Sequence, residues 1–386
     1  MSPAKRRTTP RGATKQRATK RGAAKRSAAP RRRTVPLDDP RLVARLDPGG
    51  MGDRIEGLAA QVRAGARLAA PAAAALPPTR PRRLVLFGMG GSAIAGDFLR
   101  VLADREGSVP VHVVRHYEPP AWLTPEDFLV FSSYSGETEE TLAAYRAARA
   151  RGARACVVTT GGSLAERARA DGVPAAILPA GHPPRAALGY SLSTLLSIAD
   201  HVGVVSADAR RLAAAADAVE GVVSACRRDV VHSRNSAKRL AIRLAGRVLL
   251  VIGGERTLHP AAVRWKGQLN ENAKQLAWAS ALPEMNHNEV DSFVTPKAAL
   301  GRLAVVLLRD PDDHPRVARR FEWLAAYLGR KRVRVETVIA AGREPLARTL
   351  SCVALGDFVS YYAALQNGVD PSALPGVETL KKALRG

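Results

Sequence analysis

Short, unbroken apolar runs recur along this chain, separated by stretches in which apolar residues return every three or four positions. The runs Leu84–Phe87 (LVLF), Val109–Val114, Phe128–Phe131, Ala155–Val158 and Ala175–Leu178 show largely continuous apolarity rather than alternation. That pattern predicts strands covered on both faces, as in a parallel sheet. Between them, Ala93–Ala103 and Glu137–Arg151 carry helical periodicity. A second alternation follows, with strands predicted at Arg247–Ile252, Leu303–Leu308 and Val333–Val338 and helices at Val263–Ala277, Pro315–Leu328 and around Leu350–Leu365. Two successive doubly wound α/β units are the natural reading. The segment Leu37–Leu68 has helical spacing after Pro40 and after Met51, and Pro71–Pro81 reads as a Pro/Ala linker. The predicted organisation is a tail at 1–36, a helical segment and linker at 37–80, a first unit at 81–200, a helical connector at 201–244 and a second unit at 245–386.

Composition changes this picture mainly at the amino terminus. The chain has 386 residues, 46% hydrophobic and 24% charged, which is ample for more than one buried core. Its net charge of +24 is unevenly spread, because residues 1–33 hold 13 Lys/Arg and no acid. The tail is self-repelling and poor in apolar residues, so disorder is expected. Its spaced basic pairs suit weak, non-specific nucleic-acid contact, unless it is an extension with no role of its own. Three cysteines, Cys156, Cys226 and Cys352, lie far apart without paired spacing, which fits a reducing, cytoplasmic setting. No apolar run is long enough for a membrane span.

The candidate chemistry is concentrated in a few turns. Gly88-Met89-Gly90-Gly91-Ser92 follows the first strand and opens a helix, where glycines let a ligand approach the backbone and free N–H groups face an anion. The G-x-G-x-x-G spacing of a dinucleotide site fails, since Ala93 stands where the third glycine belongs, so no such cofactor is expected. Ser133-Tyr134-Ser135-Gly136-Glu137-Thr138 ends another strand and offers three hydroxyls at a helix start. It suits a single phosphate or, more simply, helix capping, and Glu137, Glu139 and Glu140 fit the capping role. Arg185 is held between prolines and an apolar helix start. Lys266–Ser292, predicted as a helix, a loop and a second helix start, carries Glu271, His287 and the asparagines 270, 272, 286 and 288. That density of polar groups around an acid/base pair points either to a site or to caps and turns. The histidines form no cluster of metal-ligand spacing beyond His112 and His116, which read as structural, so no metal is expected.

Taken together, GMGGSAIAGD (88–97), SYSGETEET (133–141), PRAALGYS (184–191), LNENAK (269–274) and PEMNHNEV (283–290) resemble the bifunctional phosphoglucose/phosphomannose isomerases, a branch of the sugar isomerase (SIS) superfamily. The resemblance covers roughly residues 37–386. It implies two SIS domains, each a five-stranded parallel sheet flanked by helices, in a homodimer that interconverts glucose 6-phosphate or mannose 6-phosphate with fructose 6-phosphate without a cofactor. It also implies roles: Ser92, Ser133, Ser135 and Thr138 at the phosphate, Gly90 and Gly91 beside the substrate, and Glu271 as the base that moves a proton between C1 and C2. Arg185 would stabilise an enediolate, His287 would open the sugar ring from the partner subunit, and Lys381 would assist, with Lys382 close by. The family's threonine before that lysine has no clear counterpart: Thr379 stands too near, and Ser372 is the substitute on offer. The rival from another class is a sugar-phosphate-binding regulator whose basic tail contacts DNA. A sensor, however, needs neither base nor ring-opening histidine, and residues 1–36 are too short for a folded DNA-binding domain.

Overall fold

Five parallel strands form the first sheet: β1 (Leu84–Gly88), β2 (Val111–Val114), β3 (Phe128–Ser132), β4 (Arg154–Thr159) and β5 (Ala175–Ile177), in the order β2-β1-β3-β4-β5. The computed structural model describes residues 35–107 and 109–384, so the expected basic tail falls almost wholly outside the described residues. Along β1 and β3, successive side chains enter opposite cores. Leu84, Leu86, Phe128 and Val130 face one hydrophobic cluster, whereas Val85, Phe87, Leu129 and Phe131 face another. This two-sided burial is why Leu84–Phe87 and Phe128–Phe131 carry no polar residue. The second sheet contains β6 (Val248–Gly254), β7 (Ala277–Leu282), β8 (Leu303–Arg309) and β9 (Arg334–Ile339), in the order β7-β6-β8-β9. It has four strands among the described residues rather than the five expected. Along β8, Ala304, Val306 and Leu308 join the cluster that also serves the first sheet, while Val305 and Leu307 face a separate one. One core is therefore shared by the inner faces of both sheets.

That shared core is filled by helices. Pro345–Asn367 is buried on nearly every side: apolar residues surround the helix, and its buried Arg348, Asp357 and Ser360 are hydrogen-bonded. Its Gly356 abuts the indole of Trp265, where a Cβ would come within 2.2 Å of Nε1. Leu58–Ala74 runs through Pro71, so the expected linker begins later than its prolines suggest. A proline so close to a helix end removes a single hydrogen bond, and burial of Ala69 and Ala72 holds the last turns in place.

The largest departure lies in the segment after the second unit's first helix. The helix His259–Glu271 stops at Asn272, well before its predicted end at Ala277, and Lys274 adopts a left-handed φ of 50°. Ala277–Leu282, whose Ala and Leu content favours a helix, instead pairs in parallel with β6. Tertiary pairing overrides local propensity here. Two single 3₁₀ turns, Glu284–His287 and Glu289–Ser292, replace the expected second helix start.

Both sheets reverse strand order beside their first strand, between β1 and β3 and between β6 and β8. Ligands of open α/β sheets bind at the carboxyl ends of strands at such points. At the β6/β8 crevice the chain supplies its own anion: Thr257 donates to Asp313 Oδ1 at 2.8 Å, and the Asp310 N–H donates to Asp313 Oδ2 at 3.0 Å.

Candidate active site

At the β1/β3 crevice the turn after β1 is shaped by glycine. Gly90 has a φ of 49°, and a Cβ on Gly91 would lie 3.0 Å from the Pro184 carbonyl. Ser92 is buried and accepts from the Tyr134 N–H at 3.2 Å, tying this turn to the loop after β3. In that loop the Ser133 and Thr138 hydroxyls share a 2.8 Å hydrogen bond. Ser133 Oγ also accepts from the Gly136 N–H (3.1 Å), and Ser135 Oγ from the Glu137 N–H (3.2 Å). Gly136 has a φ of 72°, and a Cβ there would come 1.9 Å from the Gly161 carbonyl, so only glycine fits. Glu137 turns away from the hydroxyls and accepts from the Ser163 N–H and hydroxyl at 2.7 and 2.9 Å. Thr138 precedes the helix Glu139–Arg149 without capping it, which leaves first-turn N–H groups open to an anion.

Beside this crevice lies a cavity of about 250 Å³ lined by Gly90, Gly91, Arg115, Arg185, Lys266 and Glu271, among others. Arg185 stands on the 3₁₀ turn Pro184–Ala186 and is 5% exposed. Its Nε donates to Asn272 Oδ1 at 2.7 Å, and its Nη2 donates to the Pro371 and Ser372 carbonyls at 2.8 and 2.9 Å. Its Nη1 lies 3.7 Å from Glu271 Oε2. Burial lowers the Arg185 pKa while Glu271 and Asp370 act against that shift; a guanidinium nonetheless keeps its charge. Behind it, Arg264 donates to the Arg185 carbonyl at 2.9 Å and forms a two-point pair with Asp357 at 2.6 and 3.1 Å. Burial raises the Asp357 pKa against the pull of Arg264 and Gln268. Lys274 reaches the Glu271 and Asp370 carbonyls at 2.8 and 2.7 Å, and burial lowers its pKa.

The structure thus brings Gly90, Gly91, Arg185 and Glu271 to one cavity, with Ser92, Ser133, Ser135 and Thr138 in adjoining turns. It does not bring His287 there. The helix that ends at Glu271 returns to the amino end of β7, whereas His287 is exposed beyond the carboxyl end of that strand. β7, six extended residues spanning about 20 Å, runs between them along the chain. Lys381 and Lys382 are exposed on the helix Pro375–Ala383. Thr379 donates back to the Pro375 carbonyl at 2.9 Å, and the Ser372 hydroxyl is buried without a partner among the described residues. Of the histidine pair, His112 packs on Trp122, with ring centroids 4.8 Å apart. No group of three or more His, Cys, Asp or Glu is arranged to hold a metal ion among the described residues. Likewise, among the described residues no helix is long and apolar enough to cross a membrane.

Sequence reasoning missed Arg115, Lys266 and Arg264. Arg115 directly follows β2, and its place at a strand's carboxyl end was the available signal; it is paired with Asp97. Arg264 sits within a helix of a chain carrying 59 Lys/Arg, and nothing local distinguishes it.

Residues 79–178 match the SIS domain family and residues 233–384 match the bacterial phospho-glucose isomerase C-terminal SIS domain. The chain is 36% identical over 302 residues to a bifunctional phosphoglucose/phosphomannose isomerase of Caldicellulosiruptor bescii, covering 78% of this chain and 89% of that one. It is 34% identical over 304 residues to the protein of the same description from Aquifex aeolicus, covering 78% and 90%. Among solved structures, a hypothetical protein from Thermus thermophilus shares the fold with a TM-score of 0.68 at 19% identity, covering 89% of this chain and 92% of that one.

Proposed function

The chain belongs to the bifunctional phosphoglucose/phosphomannose isomerase family, and on that premise we propose that it interconverts glucose 6-phosphate and mannose 6-phosphate with fructose 6-phosphate through a cis-enediolate. The observation that carries this reading is the approach of Arg185 Nη1 to Glu271 Oε2, 3.7 Å apart on the wall of a cavity floored by Gly90 and Gly91. The substrate phosphate sits against Ser92, Ser133, Ser135 and Thr138 and the helix start behind them, remote from the reacting carbons. Its binding energy positions C1 and C2. Glu271 takes the proton from C2 of the open-chain aldose, the electron pair of the broken C–H bond forms the enediol double bond, and the C1 carbonyl oxygen becomes the oxyanion. Arg185 stabilises that charge without transferring a proton. Glu271 then returns the proton to C1 while the O2 hydroxyl proton passes to O1, which leaves the carbonyl at C2. Glucose and mannose, opposite in configuration at C2, reach the same enediolate, and rotation about C2–C3 decides which face of C2 meets Glu271.

Ring opening falls to His287 of a partner subunit, assisted by Lys381. The length of β7, about 20 Å, supports this assignment, since the strand leads away from the Glu271 end of the preceding helix before the chain reaches His287. Trp278 and Val294 are exposed on the same unit, and Trp323 is exposed beside a cavity lined by Asn286 and Val290. Such apolar surface favours association with a second copy.

The test is an assay of fructose 6-phosphate formation from each aldose phosphate in EDTA. Turnover of both is expected, and Glu271→Gln should lower kcat by about 10²–10⁴-fold. Wild-type turnover by Glu271→Gln would overturn the assignment of the base. Sugar-phosphate binding without any turnover would favour a sensor.

A further inference from the structure

We infer that Asn272 is a positioning residue that selects which N–H groups of Arg185 face the substrate. The inference rests on the isomerase reading above. A guanidinium carries five N–H donors in a fixed plane. In Arg185 three are engaged: Nε–H by Asn272 Oδ1 at 2.7 Å, and the two of Nη2 by the Pro371 and Ser372 carbonyls. The remaining two, on Nη1, make no hydrogen bond with the described residues and lie on the side of Glu271 and the cavity. An oxyanion forming between Glu271 and Arg185 would meet that pair.

Asn272 is fully buried, and its amide has one orientation open to it. Ser360 Oγ gives its proton to the Asp357 carbonyl at 2.7 Å and therefore accepts from Asn272 Nδ2 at 3.0 Å. With Nδ2 committed, Oδ1 must face Arg185. The carbonyls of 371 and 372 hold the guanidinium at Nη2 alone, so the angular tolerance of those two hydrogen bonds still lets Nη1 swing. The third contact, at Nε, removes that freedom. Arg185 comes from the first unit and all three acceptors from the second, so its aim depends on how the second unit's buried amide is held.

Asn272→Leu keeps the volume and removes the acceptor; Asn272→Asp restores an acceptor at the same place. Both are compared with wild type, Arg185→Ala and Glu271→Gln for kcat, KM and thermal midpoint, and Asn272→Ser replaces the leucine variant if that one does not fold. A misaimed guanidinium weakens the transition state more than the ground state. The leucine or serine variant should therefore lose about 30–100-fold in kcat with KM within about twofold, and the aspartate variant should recover most of that loss. A folded leucine or serine variant with wild-type kcat would overturn the inference, as would an aspartate variant that recovers nothing. Failure of the isomerase reading looks different: the wild type would not turn over, or Glu271→Gln would match it.

Discussion

Replacing Arg264 with methionine removes one half of a buried ion pair and leaves the other half behind. Both side chains are 4% exposed, and they meet through two contacts, Nε to Oδ1 at 3.1 Å and Nη2 to Oδ2 at 2.6 Å. After the substitution the Asp357 carboxylate keeps one neutral side-chain donor, Gln268 Nε2 at 2.9 Å. Breaking such a pair costs about 3–5 kcal/mol, because an uncompensated charge stays buried. For a folded body of roughly 350 residues the unfolding entropy is about 0.7 kcal/mol/K, so the thermal midpoint should fall by about 4–7 °C. The loss should depend on pH in a defined sense. Burial already raises the Asp357 pKa, and removing Arg264 takes away the main opposing charge. A folded pKa above the unfolded value of about 3.9 means the native state holds the extra proton, so the variant's deficit grows as pH rises through that window and shrinks as it falls. Asp357→Leu added to Arg264→Met removes the stranded charge and should recover stability to within about 1–2 kcal/mol of wild type, Gln268 then lacking its acceptor. Thermal melts of the two single variants and the double variant, at several pH values, form the cycle. An Arg264→Met loss under about 1 kcal/mol, or a double variant no more stable than that single one, would refute the reasoning.

Three further outcomes are expected. Gly136→Ala places a Cβ against the Gly161 carbonyl in a left-handed conformation, so it should raise KM for the sugar phosphate at least about tenfold, with a smaller change in kcat; an unchanged KM would remove the loop from the phosphate site. Asp127 is fully buried. Burial opposes its ionisation, but the hydrogen bonds from Arg83 and the Thr124 N–H outweigh that and hold its carboxyl below the usual range. Its contribution is complete above about pH 4 and lost as pH falls toward the folded value, so the urea midpoints of wild type and Asp127→Asn should converge in acid; a constant gap would contradict this. Mixing Glu271→Gln with His287→Ala subunits should restore about a quarter of wild-type activity, since half of the random dimers are mixed and each has one intact site. No recovery in dimers shown to be mixed would place His287 outside the partner's site.

Much of the architecture was legible because both-sided burial leaves a strong mark: the cores of β1, β3 and β8 admit no polar residue. β7 was not, since an Ala-rich run is compatible with helix or strand and only pairing with β6 decides. The site divided in the same way. Glu271, Arg185 and the serine loop stand in local motifs whose residue types suit the chemistry. Arg115 and Arg264 gain their place only when β2 and the helix His259–Glu271 close on one cavity, and nothing in their neighbours foretells it. The exposed face of the helix Pro375–Ala383 leaves Lys381 less clearly placed than its motif implied.

The carboxylates of the second crevice bear on stoichiometry. Where the first sheet offers hydroxyls and open N–H groups between β1 and β3, the equivalent position between β6 and β8 already holds Asp313, bonded to Thr257 and to the backbone of Asp310, with Arg348 engaged by Asp310 at 2.9 Å. A phosphate entering there would meet like charge and find the donors taken. The two sheets repeat a topology without repeating its receptivity, so one sugar phosphate per chain is the expected binding stoichiometry.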